Sequence, residues 1–300
     1  MPRTNTAVVT GATNGIGEVI ARRLAAGGAT VVMVGRSEAR LAAARRRILG
    51  AVPDAELRTE RADLSLLGEV RELAARLEGD HPVPDVVVSN AAVIAGVGDR
   101  TAEGLQRTLA VNHLAPYLLL RSLAGSIGDR AARFVVVGAS PRVLRGIPVD
   151  LDDLECASGR GLGPLPGLRP FTCYSRTKNM NAMFVYGLAR RLAGTRITVN
   201  GAHPGFIKGT GMEDAARGPV RVAGTALRPL FSDTESGADT PTWLATAPEV
   251  AKVSGRFYVA RRPVTTAPHT TDRARVDRLW EESATLVGLS PTQRVPGVDA

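Results

Sequence analysis

Tyr174 and Lys178 stand four residues apart in the run Tyr174-Ser175-Arg176-Thr177-Lys178. On a helix that spacing puts both side chains on one face. A free tyrosine titrates near pH ~10, and a cation held beside it favours the phenolate and lowers that value. Bringing the phenol close to neutrality takes roughly 4 kcal/mol, a reasonable sum for two partly desolvated positive charges. A tyrosine so tuned could give a proton to a carbonyl oxygen while the carbon receives hydride, or remove one in the reverse direction. In isolation a Tyr–Lys pair on a helix is ordinary surface, and its meaning depends on what accompanies it.

A glycine-rich turn accompanies it. Thr10-Gly11-Ala12-Thr13-Asn14-Gly15-Ile16-Gly17 lies between a first apolar strand and a first helix. Gly11, Gly15 and Gly17 allow a sharp turn and a close approach to a pyrophosphate, and Thr13, Asn14 and Ile16 lie in the same cradle. The helix that follows aims its first amides and its dipole at the phosphates. Arg36 directly follows the second strand, where an NAD-preferring site usually has an acidic residue for the ribose 2′-hydroxyl. An arginine there, with Arg40 four residues on, can hold a 2′-phosphate by charge-assisted bonds. Such a contact is worth roughly 1.5–3 kcal/mol. The expected cofactor is therefore NADP(H). Asp63 after the third strand can accept from the adenine amino group. Asn90-Ala91-Ala92 after the fourth offers small residues where backbone must pass the cofactor closely.

Strand and helix patterns alternate along the chain. Strands are expected at Thr6–Thr10, Thr30–Gly35, Glu56–Ala62, Asp85–Ser89, Arg133–Val137, Arg196–Ala202 and Gly255–Ala260. Helices are expected at Gly15–Gly27, Glu38–Leu49, Ser65–Leu77 with Ser65 as N-cap, Leu105–Leu123 with a kink at Pro116, and Thr172–Leu192. Unbroken apolar strands imply a sheet covered on both faces, and the alternation makes it parallel. The expected architecture is α/β: one doubly wound Rossmann domain over residues 1–300 with a seven-stranded parallel sheet. Two Gly- and Pro-rich stretches, 146–170 and 208–241, follow carboxyl ends of strands, where such sheets bind ligands. They are expected to cover a substrate.

In this order and over nearly the whole chain, the motifs resemble those of the short-chain dehydrogenase/reductase family. The carriers are Thr10–Gly17, Asp63-Leu64-Ser65, Asn90-Ala91-Ala92, Asn112, Tyr174 through Lys178, and His203-Pro204-Gly205. VDLDDL at 149–154, and TPTWLATAPEV followed by SGRFY at 240–258, resemble the retinol dehydrogenase-like and protochlorophyllide reductase-like branch. The resemblance implies an NADP(H)-dependent oxidoreductase interconverting a carbonyl and an alcohol. It makes Tyr174 the proton donor, places Lys178 on the nicotinamide ribose, and has Asn112 organise a proton-relay water. It adds Leu64, Pro204, Gly205 and Ile207 to the cofactor site. It also implies an active-site serine just past the fifth strand. Ungapped, that position falls on Ala139, and Ser140, one residue late, is expected to supply the hydroxyl. Reduction of a C=C bond, or NADP binding with little catalysis, are the alternative readings. A homodimer or homotetramer is the family's usual assembly.

Composition narrows the rest. The 300 residues are 44% hydrophobic and carry a formal charge of +9, nearly all of it arginine. Arginines scattered among alanines and leucines read as solvated helix faces, and few aromatics are available for base stacking, so no nucleic-acid partner is expected. No run approaches the ~18 apolar residues of a membrane span. Two cysteines, Cys156 and Cys173, suit free thiols in a reducing cytoplasm, with Cys173 expected to line a pocket beside Tyr174. The arginine-for-lysine bias suggests a GC-rich bacterial source. No His/Cys/Asp spacing suits a metal, and His113 and His203 are read as local hydrogen-bond partners. Loops mixing Leu, Pro, Phe and Met suggest a mainly apolar small-molecule substrate.

Overall fold

Valine-rich strands must be covered on both faces, and the side chains of each strand accordingly divide between two cores. Val8, Val32, Val34, Val87, Phe134 and Val136 pack on one side, and Ala7, Val9, Met33, Val88, Val135 and Val137 on the other. The computed structural model describes residues 5–205 and 233–290. In chain order the elements are β1 (Thr6–Thr10), α1 (Gly15–Ala26), β2 (Thr30–Gly35), α2 (Glu38–Ala51), β3 (Leu57–Arg61), α3 (Leu67–Gly79) and β4 (Val86–Ser89). Next come α4 (Arg107–Leu109), a π-helical turn (Ala110–Leu114), α5 (Ala115–Ile127), β5 (Ala132–Val137), the short α6 (Pro141–Leu144), α7 (Arg169–Arg191) and β6 (Ile197–His203). The chain continues with α8 (Thr234–Thr246), β7 (Arg256–Val259), β8 (Arg262–Val264), α9 (Pro268–Thr271) and α10 (Arg273–Leu286).

The sheet order is β3-β2-β1-β4-β5-β6-β7-β8. Strands β1 to β7 pair in parallel, as expected, but an eighth strand pairs antiparallel to β7. The seven-stranded expectation thus misses one edge strand. Its hairpin turns on Ala260 and Arg261, both with positive φ (49° and 60°), without the glycine or asparagine that usually marks such a turn. Tertiary contacts hold it instead: the Arg261 amide donates to Thr240 Oγ1 and its guanidinium pairs with Asp239. Pro263 lies on this outer strand, where a missing N–H costs least.

Four other expectations need correction. Helix α3 begins at Leu67 rather than Ser65, and its first amides are capped from a distance by Glu103, whose carboxylate accepts from Leu67 (2.6 Å) and Gly68 (2.9 Å). The helix expected over 105–123 is interrupted by the π turn, in which the Ala115 amide donates five residues back to Ala110. The stretch 208–241 is not a loop to its end. Residues 208–232 lie outside the described residues, and from Thr234 the chain is helical, capped by Asp233 and carrying Pro241 within the helix. Likewise 146–170 ends in a 3-10 turn at Pro166–Leu168, with α7 starting at Arg169.

Beyond β8 the chain forms α10, which sequence reading left unassigned. Asp272 caps it, and Val276, Leu279, Trp280 and Ala284 form its buried stripe against α7. Trp280 stacks on Phe184 at 6.1 Å and meets Tyr117 edge-on at 5.0 Å. The guanidiniums of Arg121 and Arg191 lie 4.6 Å and 4.1 Å from its ring. Among the described residues no helix is long and apolar enough to cross a membrane. Trp280→Ala is expected to lower stability by about 3–5 kcal/mol in denaturant unfolding. A loss below about 1 kcal/mol would show that α10 is not part of the cooperative fold.

Candidate active site

The strand order reverses between β1 and β4, and the crevice at their carboxyl ends is where an open α/β sheet takes a ligand. Both strands end in residues of the expected site. Gly11 has φ +68°, and a Cβ there would lie 2.9 Å from the Ala91 Cα. A Cβ on Gly17 would run into the Gly11 carbonyl oxygen and come within 2.5 Å of Asn90 Nδ2. Only glycine lets the turn, the start of α1 and the end of β4 approach this closely. Asn14 stands at the N-cap of α1 but its side chain caps nothing, so the first amides of α1 remain directed outward past Gly15, Ile16 and Gly17. A tight glycine cradle facing uncapped amides fits a dinucleotide pyrophosphate. Thr13 sits over Gly35, whose missing side chain makes room for it.

Asn90 takes a more internal part than expected. Its Nδ2 donates to the Thr10 carbonyl at 3.0 Å and approaches that of Gly11 at 3.5 Å. Its backbone amide and that of Ala91 both donate to Thr10 Oγ1, at 3.0 and 3.1 Å. Asn90 therefore clamps the glycine turn from behind. Arg47 is a residue that sequence reading missed: from α2 it pairs with Glu18 (2.7 Å) and donates to the Thr13 carbonyl (3.1 Å). Its place in the run Arg45–Arg47 made it look like part of a solvated face.

At the outer end of the crevice, Arg36 and Arg40 are exposed on either side of Ser37, the N-cap of α2. Neither guanidinium makes an ion pair with any described residue, so both are open to an added anion. Asp63 accepts from the Ser65 amide with Oδ1 (2.9 Å), which leaves its second oxygen for a donor such as an adenine amino group. Leu64 follows it, and Ala91 and Ala92 follow β4; all three are half-buried. Pro204 and Gly205 close the described part of the β6 edge, with Gly205 at φ +92°. Ile207 lies outside the described residues.

At the inner end, Asn112 occupies the π turn and is 1% exposed. Its Oδ1 accepts from the Val93 amide (2.8 Å), and its Nδ2 donates to the Val93 carbonyl (3.0 Å) and to Thr177 Oγ1 (3.1 Å). Thr177 in turn donates to the Tyr174 carbonyl (2.7 Å). The Asn112 side chain is thus fully occupied in joining the β4 edge to α7. Its carbonyl is a different matter: the amide that would serve it in a regular helix belongs to position 116, a proline without an N–H. His113, next to it, is buried and pushed down to about 4 by desolvation, and its Nε2 bonds Ser283 at 2.8 Å. His203 is likewise pushed down to about 4 by burial.

Tyr174 and Lys178 do share one face of α7, and Lys178 Nζ lies 5.5 Å from the Tyr174 ring centroid. The expected lowering of the tyrosine is not what the protein alone provides. Lys178 is 3% exposed and its ammonium is bound to the Val137 carbonyl at the end of β5 (3.0 Å), while burial lowers it to about 8. Burial pushes the Tyr174 phenol up. Tyr174 is therefore a protonated acid until further positive charge arrives. Ser140 begins α6 without spending its hydroxyl on a cap, and Ala139 precedes it; both are half-buried. Cys173 turns away from this site, into a small cluster with Cys156 and Leu162.

The Lys178 environment has a measurable consequence. The folded protein binds this proton less well than the unfolded chain does, so Lys178 costs stability below about pH 8, and the cost fades as pH rises above it. Without cofactor, wild type should gain about 2–3 kcal/mol of unfolding free energy between about pH 8 and pH 10 relative to Lys178→Met. Parallel pH dependences for the two proteins would show that Lys178 is not buried as described.

Residues 5–143 match the family model described as short chain dehydrogenase. The chain is 31% identical to retinol dehydrogenase 13 of Mus musculus, over 97% of this chain and 86% of that protein. It is 34% identical to DnrU of Streptomyces sp. (strain C5), whose name proposes a daunorubicin C-13 ketoreductase, over 94% of this chain and 92% of that one. Among solved structures, a blue fluorescent protein from a metagenomic library in complex with NADPH superposes with a TM-score of 0.64 at 25% identity, covering 85% of this chain and 96% of that one. Its glycine turn, its Tyr–Lys pair and these likenesses agree: the chain belongs to the short-chain dehydrogenase/reductase family of oxidoreductases, among its retinol dehydrogenase-like members.

Proposed function

We propose that the protein is an NADP(H)-dependent oxidoreductase that interconverts a carbonyl and an alcohol on a mainly apolar small molecule. The observation that carries this reading is the pair of half-buried Tyr174 and buried Lys178 on one face of α7, with Lys178 anchored at the end of β5. The cradle of Gly11, Gly15 and Gly17 would hold the pyrophosphate, with Thr13, Asn14 and Ile16 around it. Arg36 and Arg40 would meet the 2′-phosphate and Asp63 the adenine. When bound, the nicotinamide supplies or accepts the hydride.

The chain's own residues handle the proton. Tyr174, kept protonated by burial, donates from its hydroxyl to the substrate oxygen. Lys178 already carries a displaceable bond to a backbone carbonyl, so it can turn toward a ribose hydroxyl and supply the charge that eases proton loss from Tyr174. The Asn112 carbonyl, freed of its usual helical donor by Pro116, is suited to hold a water that resupplies the proton. The uncommitted Ser140 hydroxyl is the candidate to orient the substrate oxygen.

An apolar substrate is supported by the rim. Val143, Leu165 and Leu168 are the exposed large hydrophobic residues among those described. They lie on α6 and on the turn leading into α7, two segments that precede Tyr174 in the chain. The two named relatives are called a retinol dehydrogenase and a daunorubicin ketoreductase, which accords with a bulky apolar alcohol or ketone. The segment 146–168 is the proposed cover of that substrate.

Tyr174→Phe tests the reading. Turnover of an apolar ketone with NADPH should fall by about 10²- to 10⁴-fold, while NADPH binding, followed by fluorescence, should stay close to wild type. Undiminished turnover would remove Tyr174 as the acid and this mechanism with it.

A further inference from the structure

Arg176 lies between Tyr174 and Lys178 in the chain, yet it belongs to neither the cofactor crevice nor the proton path. It is 5% exposed, and its Nε is buried without a partner. Its Nη2 donates to the Arg160 carbonyl at 2.8 Å, and its Nη1 lies 3.7 Å from Cys156 Sγ. No carboxylate of a described residue stands within ion-pair distance of it. A buried guanidinium needs a counter-charge: the Asp153 carboxylate feels Arg176 without pairing with it and opposes charge on both thiols, and the Cys156 sulfur is the group Arg176 itself contacts that can become an anion. Cys156 and Cys173 are each 2% exposed and pack together with Leu162. Cys156 holds φ +59°, a left-handed conformation unusual for a non-glycine residue. Its turn is fixed by Asp153, which accepts from the amides of Ala157 and Ser158, both at 2.8 Å.

We propose that Cys156 is an oxidation site for hydrogen peroxide, with Cys173 as its resolving partner. The Cys156 thiolate, balanced by Arg176, attacks one peroxide oxygen. The O–O bond breaks, hydroxide leaves and is protonated to water, and Cys156 becomes a sulfenic acid. The Cys173 sulfur then attacks the Cys156 sulfur, the S–O bond breaks, and the departing hydroxide takes the Cys173 proton as water. Two thiols have become a disulfide, and the peroxide has taken the two electrons. The division of labour follows the surroundings: the hydrogen bond from Cys173 and the Arg176 guanidinium hold Cys156 below the usual thiol range, whereas bonding to Cys156 and burial push Cys173 above it. The bridge ties the segment between α6 and α7 to the residue immediately before Tyr174.

The test needs no substrate, so its result stands apart from that of the proposed reaction. The full-length protein is treated with hydrogen peroxide, denatured, alkylated and weighed, and the peptides are mapped. Wild type should lose both alkylatable thiols and two hydrogens of mass, with a Cys156–Cys173 cross-link that dithiothreitol reverses. Cys173→Ser should instead trap the Cys156 sulfenic acid as a dimedone adduct, and Cys156→Ser should leave Cys173 unreacted at the same dose. Arg176→Lys, which loses the fork but keeps the charge, should slow the first step less than Arg176→Gln, for which about a tenfold loss of rate is expected. Retention of both thiols in wild type, a bridge between two molecules, or dimedone labelling of Cys173 in Cys156→Ser would overturn the assignment. The wild-type cross-link map decides the matter even if a variant folds poorly.

Discussion

The buried amide of Asn112 sets the geometry on which the site depends. Every polar group of that side chain is satisfied, twice by the backbone of Val93 and once by Thr177. It therefore fixes how far α7 stands from the β4 edge. On one side the connection runs through Ala91 and Asn90 to Thr10 and the glycine turn; on the other it runs through Thr177 to Tyr174. Hydrogen bonds, with the short covalent run from Ala91 to Val93 between them, connect the glycine turn to the backbone of Tyr174. Because these groups are buried, breaking any link leaves an unpaired polar atom, which costs more than the bond itself contributes. That asymmetry holds the cradle and the acid in fixed relation without a cofactor to template them.

The same logic explains how a cation is tolerated under the sheet's edge. Lys178 has no carboxylate beside it; it has the Val137 carbonyl and a lowered affinity for its proton. Elsewhere arginine does the joining. Arg22 and Arg23 meet Glu235 across α1 and α8, Arg278 meets Asp152, and Arg275 donates to the Val149 carbonyl (2.6 Å), which binds α10 to the segment before α7. Most of these pairs are exposed and individually worth little. Their effect is to place segments that hydrophobic packing alone would leave loosely specified. A chain so rich in arginine thus spends much of its charge on tertiary joints and keeps Arg36 and Arg40 open at the crevice.

How much was legible in advance followed from what kind of group does each job. β1 and β2 fall at the expected boundaries, since unbroken apolar runs between glycines have few other readings. The glycine turn, Tyr174 and Lys178 were legible because their chemistry lives in side chains at fixed spacing. β8 was not, because Ala260 and Arg261 turn without a turn residue and are held by Thr240 and Asp239 from a distant helix. The start of α8 was hidden by Pro241, which sits inside the helix. The π turn at Ala110–Leu114 depends on where Asn112 must point, which no periodicity records. The upward push on Tyr174 in the free protein was not legible, because it comes from burial, which depends on how α7 packs, while the expected lowering counted the charge of a bound nicotinamide as well as Lys178. Asn90 and Asn112 were singled out for the site, and in the structure their side chains face the protein as clamps.

In the proposed reading the crevice between β1 and β4 takes NADP(H), with the glycine cradle for the pyrophosphate and Arg36 with Arg40 for the 2′-phosphate. Fluorescence titration of the purified protein with NADPH and NADH in parallel tests it most directly. The account predicts NADPH binding at least about tenfold tighter than NADH, the difference expected from one charge-assisted phosphate contact. Equal affinities would contradict the role given to the two arginines, and no binding of either nucleotide would contradict the account as a whole.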